Sequence, residues 1–479
     1  IRLLRFRYKE YPNQKERRRN KLFMAIFSII ILIPASLILW NTYQKLTEKQ
    51  AIEEYIKTHF ENSFTTISDW DIDVTDSLTN IDIQLIGEPI KQTKLDSCDF
   101  GLEKILGKKV SIKDYQSREI PFDEIQRLKN TGNVHGLTVS IVTKDSILFQ
   151  KAYGFRNLKK KQLLKTSHNF YAASLSKPLF AFIVMKLVDA EKIDLDKPLT
   201  EYLDNPLYSY EFQHDYENFK DLKTDKRYEK ITARMCLSHT TGFPNWRYIG
   251  ESGIDMEKPL EIEFEPGTFY SYSGEGIQLL QFIVEQITKK SLEELAQEYV
   301  FKPLEMNMTS FLWQEKFDTN YAVGHYKKRK TLKRRKRNKE YAAGSMDTTP
   351  EDYAKFIQAM LGQKGLSKTM YDDFFKSQIQ IESKQQFGKN RLVKTTENND
   401  IELSYALGFG TYMTPFGKAI FKEGHIQGWE HYAIFYPSQD LGMIIMSNSS
   451  NGESIFKELL EISMADKWMP WYWENFTPY

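Results

Sequence analysis

Cysteine is nearly absent. The 479 residues hold two, Cys98 and Cys236, far apart in the chain. That excludes a disulfide framework and a cysteine-rich metal cluster, and leaves two free thiols as the expectation. Charge of one sign is also missing: 66 Lys and Arg stand against 64 Asp and Glu, a net +2. Whole-chain charge therefore gives no argument for a nucleic-acid partner, and none is expected. The eight histidines are scattered, without His-Glu-x-x-His or Cys/His ligand spacing, so neither a metal site nor a cofactor is expected. The length calls for more than one domain.

What is present begins at the N-terminus. Residues 1–21 are strongly basic, and 22–40, from Leu22 to Trp40, carry no charge. Nineteen residues at 1.5 Å rise reach about 28 Å, close to a hydrocarbon core of about 30 Å. No small-x-small cleavage site follows, so the run is expected to be an uncleaved single-pass anchor. The basic flank would stay in the cytoplasm and everything after about residue 41 would lie outside it, next to the cell envelope. Trp40 and Tyr43 suit an interfacial aromatic anchor. Residues 44–60 read as a separate, polar membrane-proximal helix. Alternating runs at Ile72–Val74 and Ile81–Leu85, a helical stripe at Leu95, Cys98, Leu102 and Ile105, and Val110–Ile112 predict a small α/β domain over 41–115. It shows no chemistry and is expected to be a spacer or a docking module for a protein partner.

The second domain, 116–479, opens with a predicted β-hairpin, Gly136–Val142 and Ile147–Gly154. The stretch Tyr171-Ala-Ala-Ser-Leu-Ser-Lys-Pro-Leu-Phe180 follows and leads into apolar residues at helical spacing. A serine hydroxyl needs an adjacent base to become a nucleophile. Lys177, one helical turn after Ser174, can be that base if burial lowers its pKa. Ser-x-x-Lys alone is a weak motif, and a Ser N-cap with a solvated lysine explains an isolated match better.

Further stretches in order reverse those odds: Cys236-Leu-Ser-His-Thr-Thr-Gly-Phe-Pro-Asn-Trp246; Glu265-Pro-Gly-Thr-Phe-Tyr-Ser-Tyr-Ser-Gly-Glu-Gly-Ile-Gln-Leu-Leu280; Ala342-Ala-Gly-Ser-Met-Asp-Thr-Thr-Pro-Glu-Asp-Tyr-Ala-Lys-Phe356; and Gly424-His-Ile-Gln-Gly-Trp-Glu-His-Tyr-Ala-Ile-Phe-Tyr-Pro437. With the hairpin and Ser-x-x-Lys they resemble the serine β-lactamase and penicillin-binding protein superfamily, in the class C-like branch of D,D-carboxypeptidases, D-aminopeptidases and esterases. The resemblance implies an antiparallel sheet flanked by helices, with a helical subdomain. It implies Ser174 as the acylated nucleophile, Lys177 as its partner in proton transfer and Tyr272 as the tyrosine that shuttles the proton. His425 matches the family's Lys or His that contacts substrate, and Gly428 is the candidate oxyanion-hole N–H. His239 is expected to anchor a loop.

Two departures stand out. Gly274 replaces the asparagine of the second motif, so polar support is lost or comes from elsewhere. The third motif reads His425-Ile426-Gln427-Gly428, with a shortened turn. The implied function is a membrane-anchored serine hydrolase acting through an acyl-enzyme on cell-wall peptides or D-amino acid amides. An esterase or D-aminopeptidase using the same residues is the runner-up, and a catalytically silent envelope scaffold is the alternative from another class. The stretch Lys327-Lys-Arg-Lys-Thr-Leu-Lys-Arg-Arg-Lys-Arg-Asn-Lys339 reads as a solvated, mobile loop, or as a contact with peptidoglycan or another anionic envelope surface. Trp468, Trp471, Trp473, Phe476 and Tyr479 read as a lid, a docking tail or packing.

Overall fold

The computed structural model describes residues 14–60, 65–75, 77–87, 92–115, 122–214, 217–250, 253–326 and 330–476. Tyr479 and residues 327–329 of the basic stretch lie outside them. The chain folds as two compact units, 1–117 and 118–479.

In the first unit the apolar run and the polar segment after it form one helix, α1 (Gln14–Phe60), rather than two. Nothing breaks it between Trp40 and Gln44, because its residues there include no glycine or proline. Lys21–His59 is long and apolar enough to cross a membrane, and its most apolar window is wholly unburied within the protein. Farther along, Ile52 and Ile56 are fully buried in a small core with Ile81, Ile83, Leu102 and Ile112. That core covers a three-stranded sheet. Strands β1 (Thr65–Val74) and β2 (Leu78–Gly87) are antiparallel, and β3 (Lys109–Tyr115) returns parallel to β2 through α2 (Gln92–Leu106). Cys98 is buried there, Cys236 is buried in the second unit, and both are free thiols.

The second unit is built on a nine-stranded sheet. After α3 (Phe122–Thr131) come β4 (Gly136–Val142), β5 (Ile147–Asn157) and β6 (Gln162–Leu163). Helices α4 (Ser176–Asp189), α5 (Gly274–Thr288) and α6 (Pro350–Leu361) follow. The chain returns through β7 (Ile379–Gln380), β8 (Ser404–Tyr405), β9 (Gly410–Thr414), β10 (Gly417–Ile426), β11 (Trp429–Tyr436) and β12 (Leu441–Ser447), and then forms α7 (Phe456–Met464). The sheet order is β7-β8-β9-β10-β11-β12-β4-β5-β6, antiparallel throughout. Both faces are covered. On β11, Ala433 and Phe435 belong to the main core with α4, while Tyr432 on the opposite face meets Phe456 and Trp471. The aromatic tail is thus packing: Trp471, Trp473 and Phe476 are buried, and Trp473 Nε1 donates to Ser383 Oγ at 3.1 Å. Helix α4 is buried nearly all round, from Ser176 to Leu187, as suits a helix apolar on every side.

One buried ion pair ties the loop after His239 to α5. The Arg247 guanidinium reaches both carboxylate oxygens of Glu275 at 2.9–3.0 Å, with each side chain at most 2 % exposed. Glu275→Ala leaves the buried arginine with Asp221 at 3.6 Å and the Asn218 carbonyl at 2.7 Å, a weaker pairing, and should cost about 3 kcal/mol. A denaturant midpoint should fall accordingly; an unchanged midpoint would show that the pair does not hold the loop.

Candidate active site

Ser174 does not start α4. It sits in a single 3₁₀ turn, Ala173–Leu175, immediately before it. Ala173 holds φ +48, a left-handed conformation that costs a non-glycine residue about 1 kcal/mol. The turn is over-determined from several sides. Ala172 N–H donates to Met346 O at 2.9 Å, Ser176 Oγ donates to Ala173 O at 2.6 Å, and the His431 ring bonds Tyr171 O at 2.8 Å.

Lys177 comes from the first turn of α4 and is fully enclosed. Its Nζ lies 3.0 Å from Ser174 Oγ and donates to Ala343 O at 2.6 Å. Burial pushes the amine's pKa well down, the positive charge of Lys422 adds to that, and Glu423 opposes it. Lys422 is a residue that motif matching missed. It lies on β10, wholly buried, and donates to Glu423 Oε1. The two lysines sit over the Tyr272 ring, Lys177 at 4.9 Å and Lys422 at 4.7 Å from its centroid. Only a strand's alternation could have shown that Lys422 points inward, and the apolar residues around it hide that signal.

Tyr272 stands just before α5. Burial raises its pKa well above the ordinary phenol value and Glu423 adds to that, while nearby Ser174 lowers it. No hydrogen bond of ordinary geometry closes on its hydroxyl. His239 is buried under the phenol, ring to ring at 4.3 Å, and accepts Ser273 N–H on Nδ1 at 3.2 Å. Burial and then the two lysines hold its pKa well down. It anchors the loop against Tyr272 as a neutral ring.

The second-motif asparagine has no room at position 274. A Cβ there would lie 2.6 Å from Trp246 Cζ2 and 2.7 Å from Asn245 O. Asn245 takes the place instead: its Oδ1 accepts Gly274 N–H at 3.1 Å, and it lines the Ser174 pocket. A polar side chain from a loop 29 residues earlier thus lines the pocket where the motif asparagine is missing.

Gly428 is a correction. It occupies the two-residue turn between β10 and β11 with φ +87, and its N–H donates to Ser450 Oγ at 2.6 Å. That N–H is spent in the hairpin tip and does not face Ser174. The edge that does is β10 itself. Pairing with β9 stops at Phe421, so residues 422–426 outrun their neighbour. A Cβ on Gly424 would meet Ala172 O at 2.8 Å and Leu175 N at 3.1 Å, so this edge abuts the Ser174 turn. His425 lies on it. It is exposed at the pocket mouth, its ring edge-on to Phe387 at 5.2 Å. Ser174, Lys177, Tyr272 and His425 thus line one pocket of about 150 Å³, together with Asn245 and Glu423.

The likenesses to known proteins point the same way. A family model described as Beta-lactamase matches residues 122–462. Protein flp of Staphylococcus aureus (strain MRSA252) is 22% identical over 330 residues, 66% of this chain and 60% of that protein, so the chain spans about three-fifths of the length of such curated relatives. Among solved structures, the octameric penicillin-binding protein homologue from Pyrococcus abyssi superposes with a TM-score of 0.57 at 20% identity, over 73% of this chain and 77% of that one. The Beta-Lactamase/D-Alanine Carboxypeptidase from Pseudomonas syringae gives a TM-score of 0.54 at 17% identity, covering 72% of this chain and 98% of that one. The structural likenesses establish the α/β fold that the motifs implied.

Restoring the motif asparagine should harm this site. Gly274→Asn forces Trp246 or the Asn245 carbonyl aside, an overpacking cost of about 1–3 kcal/mol. Differential scanning calorimetry should show a lower midpoint; a midpoint at or above wild type would mean the pocket has space that the packing denies.

Proposed function

The chain belongs to the beta-lactamase family; from that premise we propose that it is a serine hydrolase of the β-lactamase and penicillin-binding type, with Ser174 as the acylated nucleophile and Lys177 as the base that activates it. The observation that carries this reading is the 3.0 Å approach of the fully buried Lys177 Nζ to Ser174 Oγ. Lys177 and Tyr272 shift in opposite directions. The resting pair is a neutral amine beside a neutral phenol, so the amine takes the serine proton as Oγ attacks the carbonyl. Tyr272, still protonated, relays a proton to the leaving group. The oxyanion is held at the exposed edge of β10 near His425. Water then releases the acyl group.

For substrate, we favour cell-wall peptides or D-amino acid amides. The likeness to a D-alanine carboxypeptidase supports this at the level of fold. A D-aminoacyl esterase or D-aminopeptidase is favoured by one feature: Glu423 lines the pocket, and its Oε2 has no hydrogen-bond partner, a place suited to a substrate ammonium. The basic arm and the apolar part of α1 support a membrane anchor with the catalytic unit outside the cytoplasm.

Two experiments test this. Full chain in detergent micelles, treated with a fluorescent penicillin and a broad serine-reactive probe, should gain a covalent adduct by mass spectrometry. Ser174→Ala should gain none, and its turnover of D-alanyl amides and esters should fall at least about a thousandfold. No adduct with either reagent would overturn this reading in favour of the catalytically silent scaffold. The second test is electrostatic. Lys177 acts as the neutral amine, so turnover falls as pH drops through its pKa. Lys422→Met removes a charge that lowers that pKa and should move the acid limb of kcat/KM to higher pH. Glu423→Gln removes a charge that raises it and should move the limb to lower pH. Shifts of the same sign would refute the assignment.

A further inference from the structure

The described part of the basic stretch, residues 330–339, is tied to the body. Among its described residues, Arg334 has an almost wholly buried side chain, bonding Asp347 Oδ1 at 2.5 Å and Asn169 Oδ1 at 3.0 Å. Its guanidinium stacks between Trp313 at 5.3 Å and Trp429 at 4.8 Å. Arg337 lies over the Tyr171 ring at 3.5 Å. Lys336 pairs with Asp318 at 2.7 Å and Lys339 with Glu217 at 2.5 Å. The expectation of a solvated segment does not hold for Arg334, Lys336, Arg337 and Lys339, because aromatic planes and acidic side chains hold these four cations against the body.

These contacts build a cavity of about 920 Å³ whose wall carries five cations, Lys333, Arg334, Arg335, Lys336 and Arg337. Two carboxylates answer them: Asp347 serves Arg334 and, at 4.0 Å, Arg337, and Asp318 serves Lys336. Lys333 and Arg335 have no carboxylate at ion-pair distance among the described residues, and Arg334 Nε and Arg337 Nη1 have no hydrogen-bond partner. Those two nitrogens are buried, so the exposed Lys333 and Arg335 are the donors open to a planar or tetrahedral oxyanion, on a wall that the stacked guanidiniums hold in place. The cavity adjoins the Ser174 pocket, because Tyr171 and Ile426 line both.

We propose that this cavity is a second substrate subsite, which holds a phosphate or carboxylate on the part of the substrate that extends past the hairpin tip from Ser174. The proposal rests on Ser174 as the nucleophile only for the word substrate; anion binding stands apart from it. A concave site joined to the catalytic pocket favours a substrate-borne anion over a flat lipid surface, on which cations would spread over a convex face.

The test uses the full chain in nanodiscs. Calorimetric titration of the Ser174→Ala chain with sodium tripolyphosphate should show binding, weakened about tenfold or more by Lys333→Glu with Arg335→Glu. Both positions are exposed, and an unchanged thermal midpoint verifies folding. The milder Lys333→Gln with Arg335→Gln should lose less. Affinity should be the same in phosphatidylcholine nanodiscs and in mixtures with phosphatidylglycerol. In the chain with Ser174 intact, the ratio of kcat/KM for p-nitrophenyl hemisuccinate over p-nitrophenyl butyrate should fall in the charge-reversed variant, with the neutral ester unaffected. No tripolyphosphate binding, or binding indifferent to the variants, overturns the subsite. Loss of tripolyphosphate binding in phosphatidylglycerol nanodiscs overturns it in favour of lipid headgroups. Anion binding that persists while neither ester is turned over supports the subsite and counts against the nucleophile.

Discussion

The catalytic unit depends on enclosing an amine in a place where it cannot stay charged cheaply. Lys177 has its charge opposed by burial and by a second buried lysine, and among the described residues Glu423 answers it. An ammonium left there would be costly; a neutral amine 3.0 Å from a serine hydroxyl is a base. The Ala343 carbonyl aims its nitrogen. Much of the unit can be understood as the means of keeping water and extra counter-charge away from that nitrogen.

The fold supplies this enclosure from four directions. Helix α4, apolar all round, gives Lys177 a dry base. The loop at 342–346 closes above it and is pinned by Gln281 Oε1, which accepts Ala342 N–H at 2.8 Å. The segment before α5 brings Tyr272, backed by His239 and secured through Arg247 and Glu275. Strand β10 extends past β9, so that its end carries Lys422 and Glu423 inward and His425 to the mouth. A strand paired on both sides could not lay that edge against the Ser174 turn.

Much of this was legible in the chain, for specific reasons. Ser174 and Lys177 stand three apart in one motif, and Tyr272 follows a Pro-Gly turn, so the resemblance to a family marks all three as candidates. The small unit's strands showed in their alternation, and the two thiols in their isolation. What failed was whatever depended on distance in sequence. Motif register points to Gly428, but the two-residue turn needs its positive φ and consumes its N–H. Asn245 reaches the pocket from another loop and accepts the Gly274 N–H, a juxtaposition in space that no linear pattern shows. Lys422 is hidden because a lysine inside an apolar strand looks like an outward-facing one. The basic stretch misled for the opposite reason: its composition is that of a solvated segment, yet Trp313, Trp429 and Tyr171 give its arginines aromatic seats.

Everything in the proposed chemistry turns on Lys177 being a neutral base at working pH. The most direct measurement follows the rate of covalent labelling of Ser174 by a neutral serine-reactive probe across pH 5 to 11 in the wild-type full chain. With a neutral Lys177, the rate levels off well below the pKa of about 10.4 of a free lysine. A rate that keeps rising until that value, with no earlier plateau, would mean that Lys177 is an ordinary ammonium and that the buried pair of lysines does not act as described.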